Sequence, residues 1–450
     1  MGQAAYVLPS HLIRWNEENV LAVRVFDGNG AGGMYEGPYE LKNASLPDVV
    51  AIELDTGLRN GIFYDSSGGP ISAVLTSVAT EPIQGFTCWV FETDEGKEIA
   101  TERSTLELTP AEKHRIETEF RPPSPGFFRV KCLFESTQHE AKAESSMVVG
   151  CRPEEIETEQ TRQPDFDQFW KGTLEKLAEV EPEFKLTPNP EGNTETHELF
   201  QVEMHSLGGI RVRGWYQRPK AEGNHPALLR VPGYTQAMLP FEMNEPIAVF
   251  SFNIRAHGNS QQDVSGWPAD YRVRDLDDKE GYFYQGAYCD CVRAVDFLVS
   301  REEVDVRRIG VTGGSQGGGM SLATAALDQR ISLCAPDIPF LCNWERYFKT
   351  TYWPDMDKWV DAKPNRSREK MLRTLSYFDN LNLVNRIKCP VLLGVGLQDE
   401  VCSPVSIFAV YNKISAPKEY HVYRDAGHWV KESHQALRRA WLMRHFGLPQ

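Results

Sequence analysis

Ile309-Gly310-Val311-Thr312-Gly313-Gly314-Ser315-Gln316-Gly317-Gly318-Gly319 decides how this chain is read. A strand-like run, Arg308–Thr312, ends in a cluster of glycines around one serine, and a helical pattern follows over Gln316–Leu327. A serine at such a strand-to-helix turn is held in a strained conformation with its hydroxyl exposed above a sheet. Glycines flank it because side chains there would clash with the neighbouring strand and helix. The pattern Gly313–Gly317 is common by itself, and its placement gives it weight; the alternative is a plain glycine-rich turn.

A serine hydroxyl is a poor nucleophile near neutral pH, so it needs a base, and the base needs an orienting acid. In this kind of sheet the chain order is Ser, acid, His. Asp399 follows the strand-like Pro390–Val395 in Gly396-Leu397-Gln398-Asp399. His428 follows Glu419–Tyr423 in Asp425-Ala426-Gly427-His428, just before a closing helix at Lys431–Phe446. Glu400, Asp425, His421 and His434 compete for these roles. His421 falls inside a strand and His434 inside a helix, so neither sits on an apical loop. Ser315, Asp399 and His428 are the expected catalytic residues. A tetrahedral intermediate also needs two backbone N–H donors aimed at its oxyanion. Gln316, after the nucleophile, supplies one, and Tyr234 in Pro232-Gly233-Tyr234-Thr235-Gln236 is the candidate for the other, a simple Pro-Gly turn being the alternative.

Working outward, strand-like segments alternate with helical ones. Strands are expected at Phe200–Ser206, Arg211–Arg218, Ala227–Val231, Ile247–Phe252, Ile331–Ala335 and Val391–Val395, and helices at Ala287–Ser300 and Ser403–Ile414. Phe166, Phe169, Trp170, Leu174 and Leu177 recur at helical spacing and introduce this domain. The expectation is an α/β fold over residues 161–450: a mostly parallel sheet with helices on both faces and chemistry at the carboxyl ends of its strands. Residues 44–160 read as an immunoglobulin-like β-sandwich, with β-rich runs at Ile71–Val78, Gly85–Glu92 and Phe127–Glu135 and an acidic linker, Cys151–Gln163. Residues 1–43 read as a β segment too short to close a sandwich alone. Gly28, Gly30 and Gly33 there mimic a dinucleotide-binding turn, but Gly37-Pro38 does not open the helix such a turn requires.

The 450 residues carry 48 Lys and Arg against 63 Asp and Glu, a net charge of −15. That surface repels phosphate backbones and anionic lipid, which speaks against nucleic acid or a membrane as partner. No apolar run reaches the ~18 residues of a membrane span. No signal peptide is visible, so the chain as written reads as cytoplasmic, with a periplasmic or secreted protein the alternative if the N-terminus is truncated. The nine Cys show no repeated metal-ligand spacing and read as reduced, mostly buried thiols. Cys88 and Cys132, both in expected strands, are a candidate pair for an exported protein.

The C-terminal domain resembles the acetyl xylan esterase and cephalosporin C deacetylase family of α/β-hydrolases. The resemblance is carried by Asp165-Phe166-Asp167 with Phe169-Trp170, Gly214-Trp215-Tyr216 with Arg218-Pro219, Tyr284-Gln285-Gly286, the Ile309–Gly318 run, Pro339-Phe340-Leu341-Cys342, Leu375-Ser376-Tyr377-Phe378-Asp379 and Val401-Cys402-Ser403-Pro404. It implies removal of acetyl groups from carbohydrates, with Ser315, Asp399 and His428 as triad, Tyr234 and Gln316 as oxyanion donors, and no metal or organic cofactor. It also implies ring-like oligomers, which a β-rich N-terminal extension would obstruct. Three departures stand out: Pro232-Gly233-Tyr234 where the family has His-Gly-Tyr, Arg255-Ala256-His257-Gly258 where it has Arg-Gly-Gln-Gly, and His428-Trp429 where it has His-Glu. Tyr6–Pro38 resembles the closing strands of jelly-roll modules in bacterial glycoside hydrolases. The expected protein is thus a serine esterase acting on small acetylated carbohydrates. A serine peptidase on the same fold, or a non-catalytic carbohydrate-binding protein, is the rival reading. Aromatic residues in the connections 254–286 and 336–389 are candidate cap and substrate contacts.

Overall fold

In the computed structural model, residues 12–14, 17, 45–138, 141–264, 271–351 and 353–449 are described. The jelly-roll-like segment, apart from four residues, and the candidate contacts Trp267 and Tyr352 therefore lie outside the described residues. The chain divides into two compact units, Met1–Cys151 and Arg152–Gln450.

In the first unit a short helix α1 (Leu46–Val49) precedes eight strands: β1 (Val50–Asp55), β2 (Ile62–Phe63), β3 (Gly69–Ser77), β4 (Ile83–Thr93), β5 (Glu98–Leu108), β6 (Lys113–Phe120), β7 (Gly126–Ser136) and β8 (Lys142–Cys151). They form two sheets, β1-β3-β6 and β2-β8-β7-β4-β5. Alternating residues point into one shared core: Ile71, Ala73 and Leu75 from the smaller sheet meet Trp89, Phe91, Val130 and Phe134 from the larger. The ring of Phe120 bridges them, 5.1 Å from Phe91 and 5.3 Å from Phe128. Cys132 faces Trp89 across the β4–β7 ladder while Cys88 faces Leu133, so the two thiols project to opposite sides of the sheet. Strand alternation thus rules out the Cys88–Cys132 pair. All nine cysteines are free; eight are buried and Cys88 is half-buried. Burial pushes the Cys132, Cys289 and Cys389 thiols up to about 12.

The second unit begins earlier than the expected linker allows. From Arg152 onward the chain is already bonded to its own unit: Asn412 Nδ2 donates to Pro153 O, Gln160 Nε2 to Leu381 O, and Arg162 Nε to Asn382 O. Helix α2 (Phe166–Ala178) follows, its Trp170 buried with the indole N–H on Tyr377 O.

Nine strands then build one sheet: β9 (Lys185–Pro188), β10 (His197–His205), β11 (Arg211–Pro219), β12 (His225–Arg230), β13 (Ala248–Asn253), β14 (Val304–Gly314), β15 (Ile331–Asp337), β16 (Val391–Gly396) and β17 (Lys418–Tyr423). The order is β17-β16-β15-β14-β12-β13-β11-β10-β9. From β13 through β17 all pairs are parallel; β9, β10 and β11 are antiparallel. Ala248–Asn253 is buried at all six positions, as a strand covered on both faces must be. Val249 packs on one side against Trp441 and Phe446 of the terminal helix, while its neighbour Phe250 meets Phe297 from the other side. The expectation of an α/β-hydrolase sheet with helices on both faces holds.

The remaining helices are α3 (Phe283–Val299), α4 (Gln316–Leu327), α5 (Trp344–Thr350), α6 (Pro354–Asp361), α7 (Arg368–Leu375), α8 (Asn380–Leu383), α9 (Pro404–Tyr411) and α10 (Glu432–Phe446). Helices α5 to α8 occupy the long connection between β15 and β16. Among the described residues no helix is long and apolar enough to cross a membrane.

Candidate active site

The tight turn between β14 and α4 sets the position of Ser315. Its φ of 56° and ψ of −118° lie where side chains other than glycine are rarely found. Hydrogen bonds hold the turn: Ser315 N–H donates to Asp337 O at 3.0 Å, and Ser315 O accepts from Phe340 N–H at 2.9 Å and Gly319 N–H at 3.0 Å. Gly317 and Gly319 are there for space. A Cβ on Gly317 would lie 2.5 Å from Val231 O, and one on Gly319 would lie 2.1 Å from Phe340 O. Both obstacles are backbone, so neither can swing aside.

The loops after β16 and β17 bring the partners in. Ser315 Oγ lies 2.9 Å from His428 Nε2. His428 Nδ1 lies 2.9 Å from Asp399 Oδ2 and 3.1 Å from its Oδ1. Asp399 is buried, and its Oδ1 also accepts the backbone N–H groups of Val401 and Cys402, both at 2.8 Å. The carboxylate is therefore fixed in rotation, with one oxygen on the chain and one on the imidazole. Such an arrangement keeps Nδ1 protonated and leaves Nε2 free to accept the serine proton.

The competing residues are elsewhere or otherwise engaged. Glu400 and Asp425 are exposed, and Asp425 pairs with Arg424 and Lys431. His434 is fully buried, with Nε2 2.7 Å from Asp337 Oδ1 and Nδ1 2.9 Å from Tyr423 Oη. His421, on β17, sits 6.3 Å from the His434 ring, and burial lowers its pKa.

Gln316 is the first residue of α4, where the backbone N–H has no acceptor within the helix. The Pro232–Gln236 loop crosses close by, with Gly233 O 3.4 Å from Gln316 Nε2. On either side of Tyr234 the loop amides are tied down: Gly233 N–H donates to Gln236 Oε1, and Thr235 N–H donates to Tyr271 Oη. Tyr234 is 37% exposed, and the Arg272 guanidinium lies 4.1 Å from its ring centroid and 3.7 Å from that of Trp353. Trp429, which replaces the acidic residue expected beside the base, is 49% exposed.

Sequence reasoning singled out Tyr271 and Tyr284 only as candidate cap and substrate contacts; both are buried behind Gln316. Tyr271, Tyr284 and His257 all close on its side-chain amide, at 2.9 Å, 2.9 Å and 3.1 Å. For His257 the signal was its standing where the resemblance leads one to expect glutamine.

A Ser–His–Asp constellation at the carboxyl edge of a mostly parallel, helix-flanked sheet defines the class: an α/β-hydrolase equipped for acyl transfer. The family model described as acetyl xylan esterase matches residues 153–445. The acetyl esterase Axe7A of Xylanibacter ruminicola is 27% identical over 339 residues, 71% of this chain and 74% of its own length. The solved acetyl xylan esterase from Paenibacillus sp. R4 is 31% identical with a TM-score of 0.61, covering 65% of this chain and 98% of that one. Acetyl xylan esterase 1 from Thermoanaerobacterium sp. is 29% identical with a TM-score of 0.60 and the same coverage. The chain belongs to the acetyl xylan esterase family and is a carboxylic ester hydrolase.

Proposed function

We propose that this esterase removes acetyl groups from small acetylated carbohydrates, xylo-oligosaccharides among them, with Ser315 as nucleophile, His428 as base and Asp399 as its orienting acid. The observation that carries the reading is the 2.9 Å contact between Ser315 Oγ and His428 Nε2, backed by the buried Asp399 carboxylate on Nδ1. His428 takes the hydroxyl proton as Oγ attacks the acetyl carbonyl. The N–H groups of Tyr234 and Gln316 hold the resulting oxyanion. Collapse breaks the ester C–O bond, and the sugar alkoxide leaves with the proton from His428. Water then attacks the acetyl-serine, giving its proton to His428, and acetate departs as Ser315 is reprotonated. Family membership and the names of the relatives support acetyl as the group removed.

The test is acetate release from a panel of acetylated sugars, with a peptide amide as the contrasting substrate, for the parent and Ser315→Ala. The variant should lose at least ~10³-fold in turnover. Equal turnover by Ser315→Ala would overturn the assignment, and preferred cleavage of the amide would overturn the substrate class.

A further inference from the structure

Gln316 has to present its backbone N–H to the substrate, yet its side chain is fully buried and engaged by three elements of the fold. Its Oε1 accepts from the hydroxyls of Tyr271 and Tyr284, each at 2.9 Å. Its Nε2 faces His257 Nε2 at 3.1 Å and Gly233 O at 3.4 Å. Tyr271 Oη is also 2.9 Å from His257 Nε2 and accepts the N–H of Thr235, the residue after Tyr234, at 3.3 Å. One hydroxyl thus touches the loop that carries one proposed oxyanion donor and the side chain of the residue that carries the other.

The protons can be assigned along this chain of contacts. Arg255 is buried and gripped by Asp290 of α3 through Nε at 2.9 Å, Nη2 at 2.7 Å and its own backbone N–H at 2.9 Å. This fixes the Arg255 carbonyl, which lies 3.1 Å from His257 Nδ1. A carbonyl only accepts, so Nδ1 carries the proton and Nε2 is an acceptor. Burial of His257 lowers its pKa to about 4, which keeps the ring neutral under ordinary conditions. With Nε2 as acceptor, Gln316 turns its NH2 toward His257 and Gly233 O. Its Oε1 then faces the two tyrosines: Tyr284 donates to it outright, and the single Tyr271 proton is shared between Gln316 Oε1 and His257 Nε2. The reverse orientation would set Oε1 against an imidazole lone pair.

We infer that Tyr271 and neutral His257 are positioning residues for the acyl-transfer step: together they lock the Gln316 side chain and the Pro232–Gln236 loop so that the Gln316 and Tyr234 N–H groups converge on one oxyanion. The inference rests on the reading of those two N–H groups as the oxyanion donors. Neither positioning residue need touch the substrate. Each acts by holding a backbone donor where transition-state charge develops, and small displacements there are costly.

The experiment compares the parent with Tyr271→Phe, His257→Ala and His257→Gln, each confirmed folded by circular dichroism and melting temperature. Two quantities are measured: kcat and KM on p-nitrophenyl acetate, and the inhibition constant of a trifluoromethyl ketone that forms a tetrahedral adduct with serine. Tyr271→Phe and His257→Ala should lower kcat at least ~10-fold with KM changed less than ~2-fold, and should weaken the ketone by a matching factor. His257→Gln, whose amide oxygen can accept from Gln316 Nε2, should recover most of both losses. Unchanged ketone affinity alongside reduced kcat would overturn the inference. So would His257→Gln performing no better than His257→Ala. Failure of the parent itself to bind the ketone would instead strike at Ser315 and the oxyanion reading beneath the inference.

Discussion

Replacing Asp399 by Asn tests the site more sharply than removing the nucleophile, because the structure dictates how the amide must sit. Asp399 Oδ1 accepts two backbone N–H groups at 2.8 Å, from Val401 and Cys402. An amide NH2 cannot take that place, since donors would then face donors, so the Asn oxygen stays there and its NH2 occupies the position of Oδ2. That position is 2.9 Å from His428 Nδ1. Facing a donor, the imidazole moves its proton to Nε2, which then has no lone pair for the Ser315 hydroxyl. The expected loss in kcat is about 10⁴-fold, the size of the same exchange in a serine-protease triad, or ~5.5 kcal/mol of barrier. Because both backbone bonds survive, thermal stability should be nearly that of the parent. Asp399→Ala should behave differently. It orphans two amide donors, each costing about 1–3 kcal/mol if left buried, but leaves the imidazole free to choose its tautomer. Steady-state hydrolysis of p-nitrophenyl acetate and a melting curve on each variant separate the two effects. If Asp399→Asn kept more than about a tenth of the parent kcat, the tautomer argument would be refuted.

Other expectations follow from the same geometry. Gly317→Ala drives a Cβ to 2.5 Å from Val231 O and 3.1 Å from Pro232 O, at the base of the Tyr234 loop; kcat should fall at least ~10-fold with a loss of about 1–3 kcal/mol in stability, read by turnover and denaturant titration. For His257 the folded pKa of about 4 lies below the ordinary ~6.5, so the unfolded chain takes up the proton first as pH falls. Its contribution is complete above pH ~6.5 and is lost progressively toward pH ~4, amounting to ~3 kcal/mol. Urea unfolding at pH 7 and pH 5 should accordingly show a smaller acid-side loss in His257→Gln than in the parent, and equal losses would contradict the buried, neutral ring. Glu400→Gln and Asp425→Asn, which alter exposed carboxylates beside the acid and the base, should leave kcat within about 2-fold; a ~100-fold drop in either would reassign the acid.

Much of the catalytic unit was legible because its signals are local. The strand Val391–Gly396 is buried on both faces and reads as an unbroken apolar run, and Gly313, Gly317, Gly318 and Gly319 mark a turn where an added Cβ would meet backbone. Asp399 and His428 could be named from chain order and strand ends without knowledge of contacts, and the structure brings both together with Ser315. The polar strand β5 went unseen: nearly all of Glu98–Leu108 is exposed or half-buried, so no alternation announces it. Helix α5 was hidden for a different reason, since its Trp344 and Tyr347 pack with Phe340 and Trp353 from the flanking chain, ring centroids lying 5.1–6.1 Å apart, and the cluster shows no single period. The contacts of Tyr271 and His257 with Gln316 were out of reach, although both residues were noticed. They meet Gln316 across 45 and 59 residues of chain, and only folding supplies that contact.

The distribution of thiols has a practical corollary. With eight of nine sulfhydryls sealed in the interior and only Cys88 half open, the native chain offers an alkylating reagent a single foothold. Brief iodoacetamide pulses followed by intact-mass spectrometry would therefore sort molecules by which unit has opened, Cys132 and Cys151 reporting on the first and the other six buried thiols on the second, so the protein carries its own tally of how often each unit opens, without a dye, a tag or an engineered reporter.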